Sequence, residues 1–144
     1  MPNPLERTHL ELETAQKQFE RIAKENFKIW NQALLTKDPA KVAALYTADN
    51  TFLPTMSGEF KKGQAGAKEY FHHFLEKDPQ GEVKDEAVQV ISPNAYLHSG
   101  LYNFEVGPKD KRETVEARFT FLWQKNDKGE WKIAHHHSSV KPKG

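Results

Sequence analysis

Residues 131–139, WKIAHHHSS, read as a terminal β-strand. Side chains alternate along a strand, so Trp131, Ile133, His135, His137 and Ser139 share one face, and Lys132, Ala134, His136 and Ser138 the other. Two large apolar residues open the first face, which is therefore expected to point inward. His135, His137 and Ser139 then continue inward as polar groups, and buried polar groups require partners. An apolar wall that turns polar at one end is a common construction for a binding cavity.

The 144 residues are expected to form one domain, 1–144, long enough for its own core. Charged residues make up 28% and apolar ones 37%, as in an ordinary water-soluble protein. The net charge is +1 with the signs interspersed, which provides no electrostatic footprint for nucleic acid or an anionic membrane. There is no run of about 18 apolar residues to span a membrane. The opening MPNPLERTHLELETAQ lacks the apolar core of a secretory signal. Zero cysteines exclude disulfides, thiolate ligands and cysteine nucleophiles, and fit a cytoplasmic setting.

Ahead of the terminal strand, Asn3-Pro4 is a helix start, and Leu12, Ala15, Phe19, Ile22, Ala23, Phe27, Trp30, Ala33 and Leu34 recur at helical spacing. This predicts one long amphipathic helix over 4–36, with polar first turns that fray or pack on a second subunit. Asp38-Pro39 restarts a short helix through Val42, Ala43, Leu45 and Tyr46. Residues 50–56, NTFLPTM, predict a short strand in which Pro54 requires an edge or a bulge. A helix over 64–77 carries Ala67, Tyr70, Phe71, Phe74 and Leu75 on one face, leaving His72 and His73 on a solvated side. After the Asp78-Pro79-Gln80-Gly81 turn, strands at 83–91, 95–106, 112–125 and 131–140 are joined by hairpin-type connections. Helices followed by an antiparallel meander give an α+β domain with the sheet wrapped around the helices.

Inward polar residues of such a sheet mark its cavity. The candidates are Thr51 or Thr55, Tyr70, His98, Tyr102, Arg118, His135, His137 and Ser139. Tyr70 equally fits a core tyrosine with one hydrogen bond, and His98 a satisfied core or interface histidine. Arg118 faces away from Ala117, Phe119 and Phe121: exposed if that aromatic side is the core, an anion clamp in the cavity if it is not. His135 and His137 stand two residues apart on one face. With His98 they suit a metal, but no carboxylate is clearly placed beside them, and a metal-free pocket ranks slightly higher. No Gly-rich phosphate loop, His-Glu-x-x-His pair or nucleophile elbow is present.

In order and length the chain resembles the nuclear-transport-factor-2-like (NTF2-like) superfamily, which implies a cone of helices and a curved antiparallel sheet. Lys62-Gly63, Tyr70-Phe71, Ser92-Pro93-Asn94 and the Gly-x-Trp…His-x-His-x-Ser end resemble the association domain of calcium/calmodulin-dependent protein kinase II over about residues 15–142. A more specific resemblance is to the iota class of carbonic anhydrases. It rests on Leu53-Pro54-Thr55-x-Ser57, Tyr70-Phe71-x-x-Phe74-Leu75, Pro79-x-Gly81, residues 117–121 (ARFTF) and the ending 135–139 (HHHSS) with Pro142.

That resemblance implies a pocket for carbon dioxide and bicarbonate, with Thr55, Tyr70, His137 and Ser139 as matches to its site residues; His135, from its strand face, and Arg118, which matches a pocket arginine in the kinase association-domain resemblance, are expected as further substrate contacts. The iota-class resemblance implies no metal cofactor, with manganese or zinc as the alternative. The rival reading is a non-catalytic association module that oligomerises or binds a small anion. A third, an isomerase or cyclase, would need a pocket carboxylate, for which Asp49 and Glu105 are the only candidates. A homodimer is expected across the sheet's outer face, formed by Phe119, Phe121 and Trp123 or by the alternate set.

Overall fold

The computed structural model describes residues 3–144, apart from the side chain of Leu10. Helix α1 (Pro4–Leu35) opens with a capping box: the Glu6 backbone N–H donates to Asn3 Oδ1 at 2.9 Å, and the Asn3 N–H to Glu6 Oε2 at 3.1 Å. Lys37 in a left-handed conformation ends the run, and Asp38 caps α2 (Pro39–Ala43). Phe19, Ala23, Phe27, Trp30 and Leu34 form the buried stripe of α1. Its first turns are exposed, with Leu5 and Leu12 in solvent.

Strand β1 (Tyr46–Leu53) starts four residues earlier than the sequence reading and stops before Pro54, which has no N–H to continue a ladder. A two-residue β2 (Lys61–Lys62) leads into α3 (Gly63–Phe74) and a 3₁₀ turn (Leu75–Lys77). The meander follows as β3 (Gln80–Ser92), β4 (Ala95–Val106), β5 (Glu113–Lys125) and β6 (Trp131–Val140). The six strands form one sheet in the order β2-β1-β6-β5-β4-β3. Its pairings are antiparallel except for β1 with β6, which are parallel, so the sheet is mixed rather than antiparallel throughout. Hairpins dictate direction only between strands adjacent in sequence, and β1 and β6 are separated by α3 and the whole meander. A bulge at Lys84 bends β3 against β4, where the backbone of Gly100 approaches so closely that a Cβ would lie 2.0 Å from the Asp85 carbonyl oxygen.

The aromatic side of β5 is the core. Ala117, Phe119, Phe121 and Trp123 are buried against α1, with Phe27 and Trp30 in ring contact with Phe121. This corrects the placement of Phe119, Phe121 and Trp123 on a dimer face and selects the exposed alternative for Arg118. The alternate set, with Thr120 and Leu122, faces outward.

The phase of β6 is the larger correction. Trp123 pairs with Ile133, but the next residue back, Leu122, pairs with His135, so Ala134 is an extra residue. That bulge inverts the alternation beyond it. Ile133 points inward, and so do His136 and Ser138, which are 2% and 4% exposed. His135, His137 and Ser139, expected inward, lie on the outer face, where His137 is exposed and Ser139 pairs with Arg118.

Candidate functional site

The bulge delivers His136 and Ser138 into a region walled by α1, α3, β1 and β4. His136 lies flat between Phe52, at 4.7 Å and 9°, and Phe121, at 4.1 Å and 23°, with Trp30 edge-on at 5.8 Å. Both ring nitrogens have partners: Nδ1 is 2.9 Å from the Tyr46 hydroxyl and Nε2 is 3.2 Å from the Tyr102 hydroxyl. The Trp30 indole N–H donates to the Tyr46 oxygen at 3.2 Å. Tyr102 donates to Ser138 Oγ at 2.5 Å, and Ser138 is in short hydrogen-bond contact with Thr55 Oγ1. A continuous chain of six side chains therefore runs from α1 to the loop after β1.

Thr55 closes one end of a cavity of about 10 Å³. Tyr70, Tyr102, His136 and Ser138 also line it, within a shell of aromatic rings. That volume is about one water molecule. The Tyr70 hydroxyl accepts from the Met56 N–H at 3.4 Å, tying α3 to the Thr55 loop. Two surface clefts share walls with the cavity: one of about 270 Å³ across Tyr70 and Phe74, the other of about 100 Å³ across Thr55 and Phe104.

No ionised side chain faces this space at neutral pH. Burial holds the Tyr46, Tyr70 and Tyr102 hydroxyls above the ordinary phenol range. Burial, and then the neighbouring His135 and His137, hold His136 well below the usual imidazole value. Asp49 and Glu105 are both exposed, and neither lines the cavity, so it contains no carboxylate base.

Of the residues singled out from sequence, the fold brings Thr55, Tyr70 and Tyr102 together at the cavity. His98 is a buried histidine tied to Glu86 at 3.0 Å, away from the lining. Arg118, His135, His137 and Ser139 are on the opposite side of the sheet, where His135 Nδ1 meets the Thr51 hydroxyl at 2.7 Å. Among the described residues no group of three His, Cys, Asp or Glu side chains gathers to hold a metal ion. The residues present therefore do not fit manganese or zinc. The sequence reading missed His136, Ser138, Tyr46 and Trp30. Apolar neighbours concealed Trp30 and Tyr46, and an uninterrupted alternation concealed the other two.

A family model described as the calcium/calmodulin dependent protein kinase II association domain matches residues 20–142. A solved structure from Xanthomonas campestris, labelled with that same domain, is 38% identical over 86% of this chain and 89% of its own, with a TM-score of 0.82. The fold is also that of an NTF2-like superfamily protein from Salmonella enterica, 18% identical over 88% of this chain and 94% of its own, with a TM-score of 0.73. It is likewise that of a Streptomyces avermitilis protein labelled a dehydratase of the NTF2-like family, 14% identical over 89% of this chain and 99% of its own, with a TM-score of 0.73. These two show the α+β cone alone. No curated protein matches the chain. Among the described residues, no helix is long and apolar enough to cross a membrane.

Proposed function

The chain belongs to the calcium/calmodulin dependent protein kinase II association domain family, and from that premise we propose that it is a carbonic anhydrase, hydrating carbon dioxide reversibly to bicarbonate in the cavity beside His136. One observation carries the reading: the hydroxyls of Thr55, Tyr70, Tyr102 and Ser138 converge on an aromatic-walled space about one water in size that holds no ionised group. The cavity has room for the attacking water alone, and carbon dioxide, small, linear and apolar, meets it from the adjoining cleft of about 100 Å³ across Thr55 and Phe104. A ketone-sized substrate does not fit, and proton abstraction from carbon would lack its carboxylate.

Hydration adds a water oxygen to the carbon, moves one C=O electron pair onto an oxygen, and releases one proton to the buffer. Bulk water, with a pKa of roughly 15.7, is a poor nucleophile, so stabilising the oxygen that gains charge lowers the barrier. Thr55 and Tyr70 supply hydroxyls for that oxygen, and Ser138 with Thr55 positions the water. His136 takes the place in the site that the sequence reading gave to His137, as a neutral imidazole within the chain. The cofactor expectation remains none, and the location cytoplasmic.

A second reading draws on the family's printed name, an association domain. The outer face of the sheet carries the half-buried Leu97, Leu101 and Leu122, which suit a homodimer. Dimerisation there leaves the cavity on the other face intact, so both readings can hold together.

The test is stopped-flow carbon dioxide hydration by chelator-treated protein, with elemental analysis of the same sample. Activity without stoichiometric metal is expected. Activity only after manganese or zinc is added would overturn the metal-free pocket. Inactivity of a folded dimer would leave the association module.

A further inference from the structure

Of the six side chains in the buried chain, Trp30 alone cannot reverse its role. An indole N–H donates and never accepts, whereas hydroxyls do both and a neutral imidazole does one at each nitrogen. With the Tyr46 oxygen receiving the indole proton, the proton of Tyr46 itself has one partner among the described residues, His136 Nδ1 at 2.9 Å. Nδ1 is therefore an acceptor, and the proton of the neutral ring sits on Nε2. That N–H points at the Tyr102 oxygen, 3.2 Å away, and Tyr102 passes its own proton to Ser138 at 2.5 Å. Ser138 then donates to Thr55, the last member. The opposite tautomer would strand the Tyr46 proton at a fully buried site, an arrangement folded proteins avoid.

We infer that Trp30 and Tyr46 are positioning residues: through the tautomer of His136 they set the direction of the whole chain, so that Thr55 presents a hydroxyl proton to the cavity. The cavity with its adjoining cleft is thereby a site for a ligand that offers an oxygen acceptor, such as carbon dioxide or bicarbonate. His136 acts as a fixed relay of polarity. It is not the proton acceptor, because its Nε2 already carries a proton and its Nδ1 is occupied by Tyr46. The ligand class rests on the reading given under Proposed function; the direction of the chain does not.

The experiment is nitrogen-15 imidazole NMR of the full chain, with His136 assigned among the seven histidines by its loss in His136→Gln. Wild type is expected to show a single neutral tautomer with Nε2 protonated. A proton on Nδ1, or a mixture, would overturn the inference. In Trp30→Phe the Tyr46 hydroxyl is free to turn, and the two ring nitrogens, well separated in wild type, should move toward a common averaged shift. Tyr46→Phe tests the same point while keeping the ring in the core. Unchanged shifts in both folded variants would remove Trp30 and Tyr46 from the role. Carbon dioxide hydration by Tyr46→Phe should fall about tenfold in kcat/KM. If wild type is inactive yet shows the Nε2 tautomer, the functional reading fails and the directed chain stands. If it is active with the Nδ1 tautomer, the reverse holds.

Discussion

One strand carries two sets of nearly identical residues with opposite fates. His136 and Ser138 are sealed against aromatic rings and fully hydrogen-bonded, whereas His135, His137 and Ser139 lie on the other side of the sheet. Side-chain chemistry does not separate the two sets. A one-residue bulge does, by deciding which set loses water and therefore which must find protein partners.

The difference should be largest in stability. His136→Ala leaves a void between Phe52 and Phe121, strands the Tyr46 hydroxyl proton and removes a donor to the Tyr102 oxygen, for a loss of about 3 kcal/mol in urea unfolding. His137→Ala, on the outer face, should stay within about 0.5 kcal/mol of wild type. Equal losses would break the contrast. In activity, Ser138→Ala should reduce carbon dioxide hydration by about 10- to 100-fold, on the order of 1.4–2.7 kcal/mol in the barrier, and Ser139→Ala should leave it unchanged. Stopped-flow rates on both variants decide it.

A pH titration sharpens the same comparison. The folded-state pKa of His136 is depressed, so the unfolded chain binds its proton more readily. The corresponding stability is fully present above the ordinary imidazole value of 6.5 and is lost as pH falls from there toward the folded value. Urea midpoints measured from pH 7.5 to 5 should decline in wild type and decline less in His136→Gln. The smallest effect is expected on the outer face, where Leu122→Glu should weaken a dimer in sedimentation without altering the near-ultraviolet spectrum of the core.

Most of the element plan was legible because proline, glycine and capping residues punctuate it. Asn3-Pro4, Asp38-Pro39, Asp78-Pro79 and Ser92-Pro93-Asn94 all lie at boundaries that the structure keeps. Thr55 and Tyr70 were legible as cavity candidates from helix face and motif. The phase of β6 was not, since Ala134 offers neither the left-handed preference of glycine nor the missing N–H of proline to mark an inserted residue. Nor was the parallel pairing of β1 with β6, because periodicity within a strand carries no information about which distant strand lies beside it. Trp30 and Tyr46 read as ordinary core residues. Their polar atoms acquire meaning only once His136 is known to point at them.

The placement of the bulge also governs how the site would tolerate insertions and deletions. Losing Ala134 would straighten β6, yet His136 would then follow Ile133 by two places, and the cavity would keep its histidine and serine. A strand that instead absorbed the extra residue by sliding would present His135, His137 and Ser139 in their stead. The run HHHSS thus keeps an imidazole opposite Phe121 in either frame, whereas the hydroxyl opposite Phe119 depends on the register, because the slid strand would put His137 in the place of Ser138.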